Sequence, residues 1–340
     1  MWIRASICGN PSRELVVSRK ENMYNSNSEL IWEMGMSIES YESRLRGLPV
    51  DEARLLSHES MARHTTFRIG GPADLFLSVA TEQEAAAACA LAQEECVPIT
   101  VIGNGSNLLV TDKGIRGLVL CLGRDFQRIW TEGGLLCAQA GASLKAVAQR
   151  AMLDGRAGLE AVSGIPGNVG GAVCMNAGAY GGMVSQHLEW VRMLDPRTGE
   201  IRRYTRQQME FGYRTSLAMA RGMVVLSAAW LLSADEPEAI RSRMEEYTRR
   251  RREKQPLSYP SAGSVFKRPE GYFAGKLIED AGLKGYSVGQ AQVSDLHAGF
   301  IINKGGATAQ DVIALMEHIQ RVVREKYGVE LEPEIRRIGE

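Results

Sequence analysis

A glycine-rich stretch in the middle of the chain limits the folds that are open to it. Residues 158–182 read GLEAVSGIPGNVGGAVCMNAGAYGG, in which eight of 25 residues are glycine and none is lysine or arginine. Glycine permits positive φ angles and lets a ligand approach the backbone closely, and successive N–H groups in tight turns bind anions. By itself the stretch fits two interpretations about equally well, a set of tight turns in a β-rich domain or a backbone cradle for an anion.

A second glycine-rich loop favours the cradle. Residues 101–110 read VIGNGSNLLV, an apolar run, a polar loop that contains Gly103 and Gly105, and a second apolar run. This pattern predicts a strand, a tight loop and a strand. Because no helix opens after the loop, it does not fit the dinucleotide fingerprint G-x-G-x-x-G, and neither stretch contains the phosphate loop G-x-x-x-x-G-K-[ST]. A nucleotide site is therefore compatible with the sequence, but on neither a Rossmann nor a P-loop scaffold.

Composition excludes several classes of protein. The 340 residues carry 40 basic and 40 acidic side chains, and a net charge of zero argues against nucleic acid as a general partner. No apolar run reaches the length of about 18 residues that a membrane-spanning helix needs. The six cysteines show no C-x-x-C pair, which predicts reduced, buried thiols of a cytoplasmic protein and no metal site. The length predicts two or three domains.

Six ordered segments resemble those of a known family. Residues 64–74, 101–110, 163–181, 211–216, 261–269 and 331–339 read HTTFRIGGPAD, VIGNGSNLLV, SGIPGNVGGAVCMNAGAYG, FGYRTS, SAGSVFKRP and LEPEIRRIG. In this order they are similar to the motifs of the UDP-N-acetylenolpyruvoylglucosamine reductases, flavoenzymes of peptidoglycan precursor synthesis. The resemblance extends from roughly residue 48 to the C-terminus. Because only ten residues separate Tyr213 from Val224, the chain resembles the shorter members, which lack a tyrosine-bearing loop.

The resemblance implies an α+β protein with an FAD-binding fold of the vanillyl-alcohol oxidase type in two lobes and a C-terminal α+β substrate lobe. We expect the first lobe at 36–112, joined by a C-terminal strand at 327–340, the second at 113–234, and the substrate lobe at 235–326. Residues 1–35 lie before the resemblance and lack the pattern of a signal peptide. They are predicted to be a disordered and dispensable extension.

The resemblance also implies the ligands. They are non-covalent FAD, NADPH as the reductant, and UDP-N-acetylglucosamine enolpyruvate as the substrate of a cytoplasmic, monomeric enzyme without nucleic-acid or membrane partners. The implied cofactor-binding residues lie in the two glycine-rich segments and are Ile102, Gly103, Asn104, Gly105, Ser106, Asn107, Leu108, Ser163, Gly164, Pro166, Gly167, Gly170, Gly171, Asn176, Gly178 and Ala179. The implied substrate-binding residues are Tyr180, Lys254, Lys267, Arg268 and Gln292. Leu296 stands where the family usually has lysine, which affects one surface or substrate contact.

Three residues of the matching motifs are the implied catalytic set. Addition of hydride to an enolpyruvyl ether leaves an enolate-like charge on the carboxylate and a carbon that needs a proton. By resemblance Ser264 is the proton donor, and the planar fork of Arg214 suits a carboxylate. Glu334 would orient or polarise the reacting group. Spacing alone does not separate Glu334 from Glu332, and the family motif favours Glu334.

Periodicity and capping residues predict the elements that carry these motifs. We expect helices at 38–56, 81–95, 144–153, 274–283 and 309–326, capped at 144 and 309 by Ser143 and Thr308, and a helix of about 17 residues that starts at Pro237. Strands are predicted on both sides of Gly70 and Gly71, at 97–102, in a β-meander over 114–141, around 190–194 and 224–232, and along 288–303.

Two other functions are compatible with parts of the sequence. An FAD oxidase of small alcohols or sugars shares the fold, but such enzymes often attach FAD through histidine or cysteine near the first glycine loop, and no histidine lies between His64 and His187. A non-catalytic nucleotide-binding module would leave the acid, hydroxyl and cation set unexplained. The arginine run 249–252 is typical of a solvated helix C-terminus rather than of a nucleic-acid site. His297 is expected to be structural.

Overall fold

Helices and strands alternate along the part of the chain that the computed structural model describes, residues 38–340 and the backbone of residues 4 and 5. The strands are β1 (Arg4–Ala5), β2 (Leu55–Ser60), β3 (Pro72–Ser78), β4 (Ile99–Ile102), β5 (Leu108–Val110), β6 (Ile115–Cys121), β7 (Ile129–Glu132), β8 (Leu135–Gln139), β9 (Arg156–Ala157), β10 (Gly178–Ala179), β11 (Gly182–Met183), β12 (Leu188–Leu194), β13 (Ile201–Thr205), β14 (Val224–Trp230), β15 (Ser233–Ala234), β16 (Ser287–Val288), β17 (Ala291–Val293), β18 (Ile301–Asn303) and β19 (Arg336–Ile338). The helices are α1 (Ile38–Arg46), α2 (Glu82–Glu94), α3 (Leu144–Leu153), α4 (Val169–Cys174), α5 (Leu217–Ala220), α6 (Pro237–Lys254), α7 (Ala274–Asp280) and α8 (Ala309–Tyr327), with short 3-10 helices at Glu52–Arg54, Met61–His64 and Glu160–Val162.

The first sheet has the strand order β1, β4, β6, β3, β2. Strands β3, β6 and β4 are parallel, and the edge strands β2 and β1 pair antiparallel with β3 and β4. All four residues of β4 are buried, as expected for a parallel strand covered on both faces. Helix α2 connects β3 to β4 and begins where the Thr81 side chain accepts a hydrogen bond from the N–H of Glu84, so the predicted helix is confirmed.

The second sheet is antiparallel, in the order β13, β12, β14, β8, β7. Every residue of its central strand β14 is buried. One apolar core spans both sheets, since Leu75 and Leu77 of β3 belong to the same cluster as Val191 of β12 and Leu226 of β14. Burial of this shared core stabilises the two sheets as one body.

The third lobe is the C-terminal α+β lobe. It packs α7 and α8 on the short antiparallel sheet β16, β17, β18. The predicted helix α8 is confirmed, with a capping box in which Thr308 and Asp311 bond reciprocally and a left-handed Gly328 at its end. The first two backbone N–H groups of α8, at Ala309 and Gln310, donate to the carboxylate of Asp112 at 2.8 and 3.1 Å. This carboxylate joins the third lobe to the segment between β5 and β6.

Two predicted elements end or pair differently in the structure. The helix predicted over 38–56 ends at Arg46, and β2 starts at Leu55, because a glycine and a proline follow in the sequence GLP. The β-meander predicted over 114–141 is wrong, since β6 lies in the first sheet and only β7 and β8 lie in the second. The boundary predicted at residue 113 therefore falls too early, because β6 pairs in parallel with strands that are distant in sequence.

Two further predictions assigned continuous strands where the structure has a loop or several short strands. Residues 65–71 form no strand, because the Thr65 hydroxyl bonds to the backbone of Ile69 and Arg68 takes a left-handed φ of 55°. Phe67 of this loop is buried in the core of the third lobe. The single strand predicted over 288–303 is divided among β16, β17 and β18.

The predictions for the N-terminal extension and for the cysteines were each wrong in part. Strand β1 pairs with β4 at Thr100 and Ile99, so the expected disorder is wrong at these two residues, and the rest of 1–35 lies outside the described residues. Four of the cysteines are buried free thiols, at positions 89, 121, 137 and 174. Cys96, by contrast, is disulfide-bonded, and Cys8 lies outside the described residues.

The link between Asp112 and α8 yields a stability prediction. Asp112→Ala should lower the free energy of unfolding by about 1 kcal/mol, because two N–H groups at a helix start lose their acceptor and a favourable charge. Urea unfolding of Asp112→Ala and of the exposed neighbour variant Lys113→Ala would measure this. Equal midpoints for the two variants would contradict the proposed link.

Candidate active site

Two cavities meet at the junction of the three lobes. The larger has a volume of about 950 Å³ and is lined by both glycine-rich segments and by residues 255 and 257–264. The smaller has a volume of about 350 Å³ and lies against the third lobe. Arg214, Ser264 and Glu334 line both cavities. The residues predicted to be catalytic are therefore brought together at the boundary between two spaces.

The first glycine-rich loop connects β4 to β5 and forms one wall of the larger cavity. A Cβ atom added at Gly105, where φ is 61°, would lie 2.0 Å from the carbonyl oxygen of His64, so the close approach of these chains requires glycine. The backbone N–H groups of residues 104–107 donate to no acceptor within residues 38–340. Such a row of unpaired donors is suited to an anion.

The second glycine-rich segment faces the first. At Gly167 an added Cβ would lie 3.4 Å from the Ser106 hydroxyl oxygen, so the two loops are within contact distance. Helix α4 follows, and its two glycines differ in their surroundings. Gly171 lines the cavity, whereas Gly170 is buried and its N–H donates to the Ala140 carbonyl at 2.9 Å.

Most of the residues predicted to bind the cofactor line the larger cavity. They are Asn104, Gly105, Ser106, Asn107, Leu108, Pro166, Gly167, Gly171, Gly178 and Ala179. The others lie behind the wall: Ile102 is in the core, Gly103 packs on Asn168, Ser163 donates to the Glu160 carbonyl, Gly164 packs on Arg251, Gly170 bonds to Ala140, and Asn176 donates to the Gly212 carbonyl. The structure thus separates residues that face the cavity from residues that shape its loops.

Glu334 and Arg214 form an ion pair at the boundary between the cavities. Arg214 Nε donates to Glu334 Oε1 at 2.6 Å, and the two side chains are 20% and 13% exposed. Burial raises the pKa of Glu334 above its usual range, and the opposing effects of Arg214 and Lys267 do not cancel that shift. Arg214 has a left-handed φ of 56°, a conformation that costs energy in a residue other than glycine and that clusters at functional sites.

The backbone around Glu334 is held from two sides. Its N–H donates to the Val265 carbonyl at 2.7 Å, next to Ser264. Its carbonyl accepts from Asn107 Nδ2 at 3.1 Å, in the first glycine-rich loop. Strand β19 then continues parallel to β5, with the N–H of Arg336 bonded to the Asn107 carbonyl at 2.9 Å. The glycine loop, the C-terminal segment and the Ser264 segment are therefore one hydrogen-bonded unit.

Ser264 and Glu332 differ sharply in what surrounds them. The Ser264 hydroxyl has no hydrogen-bond partner within residues 38–340 and lies at both cavities. The Glu332 side chain is 70% exposed, forms an ion pair with Lys267, and lines neither cavity. Position therefore favours Glu334 over Glu332 as the acidic group of the site.

The residues predicted to bind the substrate are scattered. Arg268 lines the smaller cavity, with its guanidinium 3.9 Å from the centre of the Phe273 ring. Among the other four, Tyr180 stacks on Tyr247, Lys254 is exposed, Lys267 pairs with Glu332, and Gln292 donates to the Gly285 carbonyl, and none of them lines either cavity. Leu296 lines the smaller cavity and is 52% exposed. Nδ1 of His297 accepts from the N–H of Gly299 at 3.0 Å, and His297 lines the smaller cavity, so its structural role stays a prediction.

Sequence reasoning missed the arginines of the larger cavity. Arg68, Arg197, Arg221, Arg251 and Arg336 line it. They come from five separate segments, so no local motif contains them. One of them could be singled out locally. Arg251 stands four residues after Tyr247, so on helix α6 the arginine lies on the same face as an aromatic residue. Within the described ranges no cluster of histidine, cysteine, aspartate or glutamate could hold a metal ion.

The site fits FAD. A cavity of about 950 Å³ offers a row of unpaired backbone donors, close-approach glycines and cationic side chains, the donor set expected for a dinucleotide with two phosphates. None of the helices that the structure describes is both long enough and apolar enough to cross a membrane.

Comparison with known proteins agrees with this fit. Residues 73–205 match the family described as an FAD-binding domain, and residues 255–338 match the C-terminal domain of UDP-N-acetylenolpyruvoylglucosamine reductase. The reductase of that name from Caldanaerobacter subterraneus subsp. tengcongensis is 50% identical over 289 residues, which cover 85% of this chain and 95% of that protein. The one from Geobacillus thermodenitrificans is 47% identical over 289 residues, which cover 85% and 94%.

A solved structure extends the comparison to the fold. The crystal structure of UDP-N-acetylenolpyruvylglucosamine reductase from Thermus caldophilus superposes with a TM-score of 0.72 at 37% identity, covering 83% of this chain and 98% of that one. The predicted α+β class with an FAD-binding fold is therefore confirmed. With free backbone donors around the larger cavity and identities of this size over most of its length, the chain belongs to the UDP-N-acetylenolpyruvoylglucosamine reductase family of FAD-containing oxidoreductases.

Proposed function

We propose that the chain reduces UDP-N-acetylglucosamine enolpyruvate to UDP-N-acetylmuramate, with NADPH as the electron source and bound FAD as the carrier, in a cytoplasmic step of peptidoglycan precursor synthesis. The observation that supports this most directly is the meeting of a hydroxyl, a guanidinium and a carboxyl at the boundary of two cavities, at Ser264, Arg214 and Glu334. One cavity fits the cofactor and the other leaves room for a second ligand. In balance, NADPH and one proton are consumed, and the C=C bond of the enolpyruvyl ether becomes C–C.

The larger cavity is proposed to hold FAD, which supplies hydride transfer when bound. The unpaired N–H groups of residues 104–107 and the wall at Gly171 would bind and orient it. The cysteine in the wall of the cavity is Cys174, and burial raises the pKa of its thiol to about 11. Because a protonated thiol is a poor nucleophile, this supports non-covalent attachment.

Arg214 and Glu334 are proposed to stabilise the charge that develops on the substrate. Arg214 uses Nε for Glu334, which leaves the terminal nitrogens of the guanidinium for a substrate carboxylate. Burial raises the pKa of Glu334, which makes it easier for this carboxyl to take up a proton and donate a hydrogen bond to an enolate-like oxygen. Their mutual contact fixes both side chains before the substrate arrives.

Ser264 is proposed to give the proton to the carbon next to the ether oxygen. The hydroxyl has no acceptor within the described residues and lies at the boundary of both cavities, so it is available to a ligand. The segment around it is fixed, because the N–H of Val265 donates to the Gly299 carbonyl and the Val265 carbonyl accepts from Glu334. A serine needs such exact positioning, since its own pKa is poorly matched to proton transfer at neutral pH.

An oxidase of small alcohols and a nucleotide-binding module remain the alternatives. Neither accounts for a paired acid and arginine beside an unbonded hydroxyl. The deciding experiment is anaerobic: the flavoprotein is reduced with NADPH, and the enolpyruvyl sugar nucleotide is then added. We expect rapid return of the oxidised flavin spectrum with this acceptor and none with simple alcohols or with UDP-N-acetylglucosamine. Failure of the acceptor to reoxidise the flavin would refute the proposed reaction.

The two glycines of α4 should respond differently to the same substitution. Gly171→Val should yield folded protein with little flavin, because the branched side chain occupies the cavity. Gly170→Val should chiefly reduce thermal stability, because this residue is buried behind the wall. The ratio of flavin to protein absorbance and the thermal midpoint of the apoprotein would be measured for each variant. Full flavin content in Gly171→Val would argue against this wall as part of the FAD site.

The catalytic residues should separate the two half-reactions. Flavin reduction by NADPH needs neither a proton for the substrate nor a stabilised enolate, so Ser264→Ala and Glu334→Gln should leave it nearly unchanged. Reoxidation by the enolpyruvyl sugar should slow by a factor on the order of 100 to 10,000, the range for a positioned acid. Stopped-flow absorbance of the flavin measures both steps.

Glu332→Gln is the matched control for this experiment, since Glu332 lies on the same segment but outside both cavities. It should behave like the unaltered protein in both half-reactions. Equal slowing of reduction and reoxidation in Ser264→Ala would mean that Ser264 shapes the pocket or binds ligand and does not deliver the proton.

A further inference from the structure

Arg251 is a cation in the wall of the larger cavity that the described chain does not neutralise. Its Nε is buried and has no hydrogen-bond partner. No carboxylate within residues 38–340 forms an ion pair with it, and its side chain hydrogen-bonds to the phenol of Tyr180. Burial lowers the pKa of the guanidinium, although an arginine remains charged at any physiological pH.

The neighbouring arginines of the same run are compensated or solvated. Arg249 pairs with Glu246 and Glu253, and Arg250 pairs with Glu246, all on the surface of α6. Arg252 is exposed. Because successive helix residues are turned by about 100°, only one member of the run faces the cavity. Arg251 thus differs from its neighbours in position, and they provide matched controls.

The surroundings of Arg251 hold it against the second glycine-rich segment. An added Cβ at Gly164 would lie 3.3 Å from Arg251 Nε, so the absence of a side chain there lets the guanidinium lie against the backbone. One turn earlier on α6, Tyr247 stacks on Tyr180 with ring centres 4.9 Å apart. The arginine is therefore fixed between a glycine backbone and a packed aromatic pair.

A partly buried guanidinium whose polar partner is a phenol favours a bound anion. Removing a cation from water without a counter-charge is unfavourable, and a bound anion relieves that cost. The wall of the same cavity presents the unpaired backbone donors of residues 104–107. We propose that Arg251 binds the diphosphate of FAD and supplies the positive charge that the two glycine-rich segments lack. This rests on the FAD site alone and not on the reaction proposed above.

A sugar nucleotide or NADPH also carries a diphosphate, but position favours FAD. Arg251 lines the larger cavity and not the smaller one, whereas Arg268 lines the smaller one and not the larger. Gly164, which lies against Arg251, belongs to the same segment as Gly167, which contacts the Ser106 hydroxyl in the wall of the larger cavity. The two arginines are thus placed to serve different ligands.

The direct test is the affinity of apoprotein for FAD, followed by quenching of flavin fluorescence. Arg251→Gln should weaken FAD binding by about 10- to 100-fold, the loss expected for hydrogen bonds to a charged group. Arg251→Lys should lie between, because it keeps the charge and loses the planar fork. Arg250→Gln and Arg252→Gln should bind FAD normally. Unchanged affinity in Arg251→Gln would overturn the proposal.

Thermal unfolding separates ligand binding from a structural role. If Arg251 serves the bound anion, the Arg251→Gln apoprotein should melt at or above the midpoint of the unaltered apoprotein, since a buried uncompensated charge has been removed. The rise in midpoint on adding FAD should shrink, following the weaker affinity. An apoprotein that melts lower, with an unchanged rise on adding FAD, would show that Arg251 only supports the fold and would overturn the proposal.

UDP distinguishes the source of the diphosphate. Its binding to the flavoprotein can be followed by the change in the flavin absorbance spectrum. We expect Arg251→Gln, saturated with FAD, to bind UDP as the unaltered protein does, and Arg268→Gln to bind it more weakly. Loss of UDP binding in Arg251→Gln with normal FAD affinity would assign the arginine to the sugar nucleotide and overturn the assignment to FAD.

Discussion

The hydrogen bonds on the two sides of Glu334 hold the site together. The carbonyl of this residue accepts from Asn107 in the first glycine-rich loop, and its N–H donates to Val265 beside Ser264. Each contact joins segments more than 60 residues apart in sequence. The pairing of β19 with β5 continues the first contact into a parallel ladder. Without these contacts the Glu334 carboxyl, the Ser264 hydroxyl and the first glycine-rich loop would belong to three separate segments of chain.

The surroundings of Glu334 at this junction also determine the pKa of its side chain. Glu334 is 13% exposed and its pKa is raised by burial, yet Arg214 Nε lies 2.6 Å away. Burial and the paired guanidinium shift the pKa of this carboxyl in opposite directions, and burial has the larger effect. Groups whose pKa is perturbed in this way are typical of sites where charge develops during a reaction. A surface carboxylate such as Glu332, whose side chain is 70% exposed, has no such constraint.

The arginines show how one charged sequence run serves several purposes. In residues 249–252, two side chains form surface ion pairs, one is exposed, and one lines the cavity. The number of charges in the run accounts for its solubility and for its favourable interaction with the helix dipole. The rotation of each residue about the helix axis decides which charge faces the cavity. The cavity as a whole gains its positive character from segments that no single motif contains.

The sequence alone determined the local features of this protein. The caps at Ser143 and Thr308, the start of α6 at Pro237, and the two glycine-rich loops follow from residues that are close in the chain, because capping and turn formation involve only neighbouring residues. The motifs also named the residues that meet at the cavity boundary. Tertiary structure alone decided that β6 completes the first sheet, that Glu334 rather than Glu332 is buried, and that Arg251 faces inward. Parallel pairing, burial and the facing of a side chain depend on segments distant in sequence, and spacing within a motif contains no information about them.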